Sequence, residues 1–459
     1  MKRPGAGVEL APSLTDPIAR SASRIIGGPL GTRAVVGAGG SAAVAATVTV
    51  LGAMMMALAV LQKGPCVVYG WADPDHFWRA CYSDIAVVNA SSVLAERGFP
   101  YAGESPSEQP ALSGLTMWVL SLVSPYDGGD RLAQQWVFGL WAVAAMILVA
   151  GAIAALVSLR RDRPWQSAHL AISPVIAVLA LISVDLMGVA LVIWGIYAWS
   201  RDRPRLSGVL LGLSFLVRPV ALVFALAVVL VSYRAGRGRS GITVLVSAAV
   251  SALAVYVPLL VVVGEPMLAA PRAWLSASPG YGALALLPSL LGAPLPAAVA
   301  TGVAIIGWLA AAGAGWLLSA RVSHVPPTIA VGALSAVMLL IVMLTATSVS
   351  LQTGLWVLPV LALSAVMWRD HLIWAAIEIV HFEAAWLYIG FSADRGRGLP
   401  PQAYAVAVAA RALAWAYVVG RIWWEARSAA PQGQGSTSSL PDVPPAARSR
   451  WASATSASG

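Results

Sequence analysis

The residues most able to do chemistry lie between positions 71 and 84, where carboxylates, an imidazole and aromatic rings follow one another closely. Asp75 and Asp84 are candidate general bases, and His76 and Tyr82 stand between them. A carboxylate beside an aromatic platform suits proton removal from a sugar hydroxyl. The alternative is an ordinary connecting segment that carries interfacial aromatic residues.

Cys66 and Cys81 are the two cysteines of the chain, and both lie in the hydrophilic stretch 62–131. In an oxidising compartment they would pair as a disulfide. Such a bond would stabilise the fold by about 3 kcal/mol in the chain-entropy model. Two free thiols are the alternative. Two cysteines cannot complete a four-ligand metal site, and the sequence predicts no metal site.

Two ionisable residues fall inside apolar stretches, where a charge is costly unless it faces a partner, water or a ligand. Asp185 follows one apolar arm, and Arg218 precedes Pro219 in another. The planar guanidinium of Arg218 suits a phosphate group. The alternative, compatible with the first, is a salt bridge between Asp185 and Arg218.

A second polar pair, Glu378 and His381, lies three residues apart on one face of a predicted helix. We interpret this pair as a polar contact between helices rather than as a reactive site.

Elements that position these residues must be apolar helices, because 59% of the 459 residues are hydrophobic and 11% are charged. The sequence predicts an all-α polytopic membrane protein with roughly 10–13 transmembrane or partly spanning helices. The first helix covers 43–61, and a long hydrophilic loop, 62–131, follows it on the outer side. The net charge of +9 comes from arginines that flank the apolar runs, which is typical of cytoplasmic loops and not of a nucleic-acid-binding surface.

Three domains are expected: a basic cytoplasmic segment over 1–43, a transmembrane domain over 44–425 and a disordered cytoplasmic tail over 426–459. The chain is therefore predicted to be a multi-pass protein of the cell membrane with both termini in the cytoplasm. No cleaved signal peptide is expected, because the basic region is long and no small-residue cleavage site follows the apolar run.

Basic clusters on both sides of two apolar stretches require an even number of crossings. The stretch before Arg201 should turn near Ser183 and Asp185, and the stretch 206–232 should break at Arg218 and Pro219. Six later spans are predicted: Ile242–Val263, Ala297–Ala320, Thr328–Leu344, Leu355–Trp368, Leu372–Phe391 and Tyr404–Trp424.

Several short motifs give the chain a resemblance to a known family. They are Cys81–Ile85, Arg97–Tyr101, Glu108–Gly114, Ser173–Pro174 with Asp185, Gly208–Gly212 followed by Arg218–Pro219, Ser350–Gln352 and Leu355–Pro359. With these motifs, residues 44–425 resemble actinobacterial glycosyltransferases of the GT-C fold and the glycosyltransferase 87 type. Those enzymes are similar to polyprenyl-phosphate-mannose-dependent alpha-mannosyltransferases.

The resemblance implies a GT-C-like helical bundle and an inverting hexosyltransferase that acts on the extracytoplasmic face. The donor would be a polyprenyl-phosphate-linked sugar, with mannose the expected sugar, and the acceptor a glycolipid or a cell-envelope glycan. No cofactor is implied. Asp84 matches the family's general base, and the residues expected to bind substrate or the donor phosphate are Arg218, Asp185, Glu108, Tyr82, His76 and Gln352.

The chain departs from the family pattern at three positions: Arg218 replaces a lysine, Gln109 a tyrosine and Leu351 a proline. Two other functions remain open. A secondary transporter or flippase would also carry broken helices and intramembrane charges, but it would gather those charges near the bilayer midplane. A noncatalytic envelope-assembly protein is the third possibility.

Overall fold

The computed structural model describes residues 40–276, 279–347, 349–364 and 366–428, and every regular element in these ranges is helical. The predicted basic segment before residue 40 and most of the predicted tail lie outside the described residues. The end of the last helix reaches Ser428 and so includes the first residues assigned to the tail.

The described ranges contain long helices and many short helical turns. The α-helices are α1 Gly40–Gln62, α2 Gly64–Tyr69, α3 Asp75–Trp78, α4 Asp84–Ser91, α5 Ala111–Val123, α6 Arg131–Leu159, α7 Ala168–Ala171, α8 Pro174–Leu179, α9 Asp185–Ser200, α10 Pro204–Phe215, α11 Leu222–Arg234, α12 Gly238–Val263, α13 Ala269–Ser276, α14 Leu287–Leu290, α15 Ala297–Ser319, α16 Pro327–Thr345, α17 Leu358–Leu363, α18 Trp368–Ala393 and α19 Pro401–Ser428. The 3₁₀ helices are Val93–Glu96, Pro164–Ser167, Pro219–Ala221, Glu265–Leu268, Leu284–Leu286, Ala320–Val322 and Leu351–Val357.

Within the described ranges, seven helices are long and apolar enough to cross a membrane. They are α1, α6, α12, α15, α16, α18 and α19, and four shorter apolar helices lie among them. The all-helical architecture and the multi-pass character predicted from composition are confirmed.

Close helix packing explains the Gly208–Gly212 motif. Helix α10 lies directly against α12, and a Cβ atom at Gly208 would collide with the carbonyl oxygen of Val244. A Cβ at Gly212 would collide with the carbonyl oxygen of Ala248. Small residues therefore allow the two backbones to approach closely, as is common between membrane helices.

Both predicted breaks are present. Residues 180–184 form the turn that precedes α9, and Asp185 is the first residue of α9. Arg218 is extended, at φ −159° and ψ 135°, between α10 and the 3₁₀ turn that begins at Pro219. Proline disfavours helix at the preceding residue, so the break has its cause in the sequence.

The predicted span Leu355–Trp368 is wrong. Residues 351–363 form a short 3₁₀ and α-helical stretch that is buried throughout, and Trp368 begins the next long helix, α18. Buried Arg160 donates hydrogen bonds to the carbonyl groups of Leu363 and Ser364. Because protein surrounds this stretch and a side chain satisfies its end, it does not need the length of a full crossing.

Glu378 and His381 connect α18 to α19, as interpreted from the sequence. Arg411 donates to Glu378 at 3.0 and 3.2 Å, and the Trp415 indole donates to the same carboxylate. His381 lies 3.3 Å from the Tyr404 hydroxyl. These contacts join the last two long helices.

Candidate functional site

The predicted disulfide between Cys66 and Cys81 is present, with Cα atoms 5.7 Å apart. The surrounding segment is not an open loop, because short helices α2 to α5 occupy much of 62–131. The Gln62 side chain donates to the Ala80 carbonyl at 2.6 Å, and the Trp71 indole donates to the Cys81 carbonyl at 3.2 Å. These contacts fold residues 62–84 against the end of α1, hereafter the disulfide end of the bundle.

Asp84 is the first residue of α4 and is held against the turn that precedes α9. Its backbone N–H donates to the Ile182 carbonyl at 2.7 Å, and the Ser83 hydroxyl donates to the Leu181 carbonyl at 2.7 Å. Two hydrogen bonds therefore tie the disulfide segment to the turn that carries Asp185. In this way residues about a hundred positions apart come together.

The Asp84 carboxylate is surrounded by polar groups from several elements. The Tyr82 hydroxyl donates a hydrogen bond to it. Burial raises the pKa of Asp84 to about 6, against the lowering influence of Tyr82, Arg218 and Lys63. A carboxylate with this pKa is ionised at neutral pH and accepts a proton more readily than an exposed aspartate does.

Asp185 and Arg218 form a two-point ion pair. Arg218 Nη2 donates to Asp185 Oδ1 at 2.8 Å, and Nε lies 2.6 Å from Oδ2. The Ser183 hydroxyl and the Trp356 indole also donate to Asp185, each at 3.0 Å. The salt bridge considered from the sequence is thus present. Since a guanidinium has five N–H donors, Arg218 keeps donors beyond those that face Asp185.

A cavity of about 90 Å³ opens beside Arg218 and is otherwise mostly apolar. It is defined by Arg218, Pro219, Val220, Trp274, Thr301, Ala304, Ile305, Trp308, Val342, Met343, Ala346, Val349 and Thr353. We call it the Arg218 cavity. The side chain of Arg218 is 16% exposed, whereas its partner Asp185 is buried.

A larger apolar groove of about 530 Å³ adjoins the Arg218 cavity, and Pro219, Trp274 and Trp308 line both. The other residues that line the groove are Pro110, Ala111, Phe215, Leu216, Leu222, Ala252, Leu253, Tyr256, Met267, Ala270 and Pro271. Leu222 and Leu253 are exposed, so the groove reaches the apolar surface of the bundle. The pair of spaces suits an amphipathic molecule whose anionic group meets Arg218.

The Glu108–Gly114 motif contributes to one wall of the groove through helix α5. The Leu112 N–H donates to the Leu216 carbonyl at 3.1 Å, just before the break at Arg218. The Tyr101 hydroxyl donates to the carbonyl groups of Pro110 and Ala111, and a Cβ at Gly114 would collide with that hydroxyl. The motif thus fixes the start of α5. Glu108 itself is exposed.

His76 is buried and belongs to an aromatic cluster behind Asp84. Its ring lies 5.1 Å from that of Tyr82, and Tyr82 lies 5.0 Å from Trp386. Phe77 stacks on both Tyr82 and Trp386 at 5.6 Å. Burial lowers the pKa of His76, so the imidazole is neutral at neutral pH. The cluster gives Tyr82 a rigid backing from which it reaches Asp84.

Gln352 is buried in the 3₁₀ helix that also contains Thr353 and Trp356. Thr353 lines the Arg218 cavity, and Trp356 binds Asp185. The Ser350–Gln352 and Leu355–Pro359 motifs therefore belong to the floor of the same site.

Three residues of this region were not given a role from the sequence. Trp356 reaches Asp185, Arg411 donates to the Leu351 carbonyl at 2.9 Å beneath the site floor, and Lys63 acts on Asp84. In the sequence, Lys63 resembles a flanking charge at the end of an apolar helix, and Arg411 is one base among many. Only their burial, which depends on tertiary packing, separates them from ordinary flanking residues.

A scan of the chain against protein-family models gives no match, and a comparison with curated proteins also gives none. The resemblance to the glycosyltransferases therefore rests on the short motifs alone.

Proposed function

We propose that this protein is a membrane glycosyltransferase that transfers a sugar, mannose in the family it resembles, from a polyprenyl-phosphate donor. The acceptor is a hydroxyl group of a glycolipid or a cell-envelope glycan. The observation that carries the proposal is that Arg218 links two features: its charge acts on the Asp84 carboxylate, and it lines a cavity that adjoins the apolar groove.

The donor's two parts match the two spaces. A polyprenyl chain is apolar and gains free energy from burial against groove side chains such as Leu222 and Leu253. The phosphate is anionic, and the fork of Arg218 can offer it charge-assisted hydrogen bonds. Asp185 fixes the direction of that fork. A lysine at this position, as in the family, would supply charge without the two-point fixation.

In the proposed reaction, Asp84 removes the proton from the acceptor hydroxyl as its oxygen attacks the anomeric carbon. The new carbon–oxygen bond forms while the bond from that carbon to the phosphate oxygen breaks. The electron pair leaves on the phosphate, where Arg218 offsets the developing charge. Attack opposite the leaving group inverts the anomeric centre. The proton ends on Asp84.

In this proposal the site faces the extracytoplasmic side, and the disulfide supports that side because disulfides persist in oxidising compartments. Asp84, Asp185 and Arg218 gather at the disulfide end of the bundle. That clustering favours a transferase over a secondary transporter, whose charges should converge near the midplane.

The test uses purified full-length protein in lipid nanodiscs with polyprenyl-phosphate-mannose labelled in the sugar. We expect label to appear in a membrane acceptor with the opposite anomeric configuration. A donor of the same headgroup with the chain cut to two isoprene units should react far more slowly, because it leaves the groove unfilled.

Absence of transfer from every lipid-phosphate sugar by folded protein would contradict the proposal. Flux of a labelled solute or lipid across reconstituted vesicles would then identify a transporter or flippase. If neither sugar transfer nor flux is found, the remaining function is that of a noncatalytic envelope-assembly protein.

A further inference from the structure

Lys63 is a buried ammonium group that the proposed reaction does not yet use. It follows the last residue of α1 and has no exposed surface. Its Nζ atom has no hydrogen-bond partner among the described residues, and the nearest ring, Phe382, lies 5.2 Å away. A buried charge without a hydrogen-bond partner costs several kcal/mol, so the protonated amine persists only where nearby carboxylates offset that cost.

The chain's choice of basic residues makes this position unusual. The sequence has 29 lysines and arginines, and only Lys2 and Lys63 are lysines. Arginine stays protonated in proteins, whereas a buried lysine changes its pKa readily. A lysine where the chain otherwise uses arginine provides a compact charge that responds to its surroundings.

The disulfide places Lys63 and Asp84 symmetrically. Lys63 lies three residues before Cys66, and Asp84 lies three residues after Cys81. The N–H of Cys66 donates to the Lys63 carbonyl at 3.0 Å, so the bridge anchors the backbone beside each charge. The covalent link therefore holds the ammonium and the carboxylate in one small region.

Two carboxylates act on Lys63: Glu383 from α18 and Asp84 from α4. Burial lowers the pKa of Lys63 to about 7, and these two carboxylates oppose that shift. Glu383 exerts the larger attraction of the two, but its side chain is exposed, so water weakens that attraction. Asp84 is the carboxylate that lies inside the site.

The other groups that face Asp84 are Tyr82, Asp185 and Arg218. Arg218 is engaged by Asp185, whose negative charge offsets it at short range. Tyr82 donates a hydrogen bond without a net charge. Lys63 is thus the cation near Asp84 that has no ion pair of its own among the described contacts.

We propose that Lys63 is a positioning residue that keeps the Asp84 carboxylate ionised and favours loss of its proton after each transfer. The catalytic part of this inference rests on the proposed function, in which Asp84 receives the acceptor proton. Lys63 takes no proton from the substrate. Its charge acts through space on Asp84.

The experiment measures protonation of Asp84 directly in full-length protein, without substrate. A hydrophobic carbodiimide reacts with protonated carboxyl groups in apolar surroundings, and mass spectrometry quantifies the labelled Asp84 peptide as pH is varied. The variants are Lys63→Met, which keeps the length and removes the charge, and Lys63→Arg, which keeps the charge. Lys63→Gln serves as a second neutral variant if Lys63→Met does not fold.

In Lys63→Met we expect the pH of half-maximal labelling to rise by at least about one unit, a tenfold change in proton affinity. Lys63→Arg should label at or below the wild-type pH. The melting temperature of Lys63→Met should not fall, because an unmatched buried charge is removed. Superimposable labelling curves for folded wild type and folded neutral variants would overturn the inference.

The same variants separate this inference from the proposed function. If transfer is observed, the acidic limb of its pH profile should move upward in Lys63→Met together with the labelling curve. If labelling shifts but no transfer is found in any protein, the charge coupling stands and the glycosyltransferase proposal fails. If transfer is found and neither curve shifts, the Lys63 inference fails alone.

Discussion

Two buried charge clusters in this molecule differ in how completely their polar atoms are matched. In the Glu378–Arg411 cluster, the carboxylate accepts from the guanidinium and from the Trp415 indole. The guanidinium also donates to the carbonyl groups of Leu351 and Ser350. In the Asp84 cluster, the Nζ atom of Lys63 lacks a hydrogen-bond partner among the described residues.

This difference in hydrogen bonding indicates which cluster only stabilises the fold. A buried polar group without a partner costs about 1–3 kcal/mol, more when it is charged, so a cluster that only joins helices has every reason to be fully matched. The Glu378–Arg411 cluster meets that description. The Asp84 cluster retains an unmatched basic group, Lys63, which is the pattern expected where a ligand or a proton completes the set.

The largest expected effect comes from breaking the matched cluster. Glu378→Ala leaves Arg411 buried without its counter-charge and should destabilise the protein by about 3–5 kcal/mol. Thermal unfolding in detergent, followed by retention of monodisperse protein, measures this loss. The double variant Glu378→Gln with Arg411→Met removes both charges and should unfold at a higher temperature than Glu378→Ala. Unchanged melting in Glu378→Ala would remove the distinction between the clusters.

The disulfide is the next largest contribution, and it belongs to the unmatched cluster. Cys66→Ser should destabilise the protein by about 3 kcal/mol, because a 15-residue separation is closed by the bond. Since the described residues hold no other cysteine, the double variant with Cys81→Ser should unfold at the same temperature as the single one. A wild-type melting curve for both variants would show that the bond does not constrain this region.

Arg218 combines features of both clusters, because it is paired with Asp185 and also lines a cavity. Arg218→Ala should weaken donor binding by the folded protein roughly tenfold to a hundredfold, the value of one charge-assisted hydrogen bond to an anion. It should also lower the melting temperature, because it leaves buried Asp185 without its counter-charge. The effect should appear in KM or in direct donor binding more than in kcat. Arg218→Lys, the residue of the resembling family, is the matched control and should recover part of the affinity. Equal donor affinity in Arg218→Ala and wild type would show that the donor phosphate does not bind at Arg218.

The smallest effect is the pH dependence of the wild-type protein. Burial raises the pKa of Asp84 to about 6, and a general base acts only when it is deprotonated. The transfer rate should therefore be level above that pH and should fall about tenfold for each unit below it. A rate profile from about pH 4.5 to 8 at saturating donor brackets this pKa and measures the effect. A rate that rises on acidification would require a different base.

Much of the fold was predictable because local chemistry decides it. The long spans follow from apolar runs of bilayer length, and the break at Arg218 follows from Pro219. The pairing of Cys66 with Cys81 needed only the count of cysteines. In each of these, the cause and the effect lie close together in the chain.

The unpredicted features depend on contacts between distant residues. The stretch 351–363 is buried by helices from the whole bundle, so its apolar character was mistaken for membrane exposure. Lys63 resembles any interfacial base until the disulfide segment closes over it. Asp84 was identified through its motif, but its neighbours Asp185 and Arg218 meet it only after residues 83 and 84 bind the turn at 181–182.

The most direct test of the central claim compares sugar transfer by purified wild type and Asp84→Asn under single-turnover conditions, with labelled polyprenyl-phosphate-mannose. The substituted asparagine keeps the size of the side chain but cannot accept the proton, so the rate should fall roughly 10²–10⁴-fold at unchanged melting temperature. Asp75→Asn, which removes an exposed carboxylate paired with Arg79, is the matched control and should remain near the wild-type rate. Full activity in Asp84→Asn would contradict the assignment and would move the base to Asp75, Asp73 or Glu108.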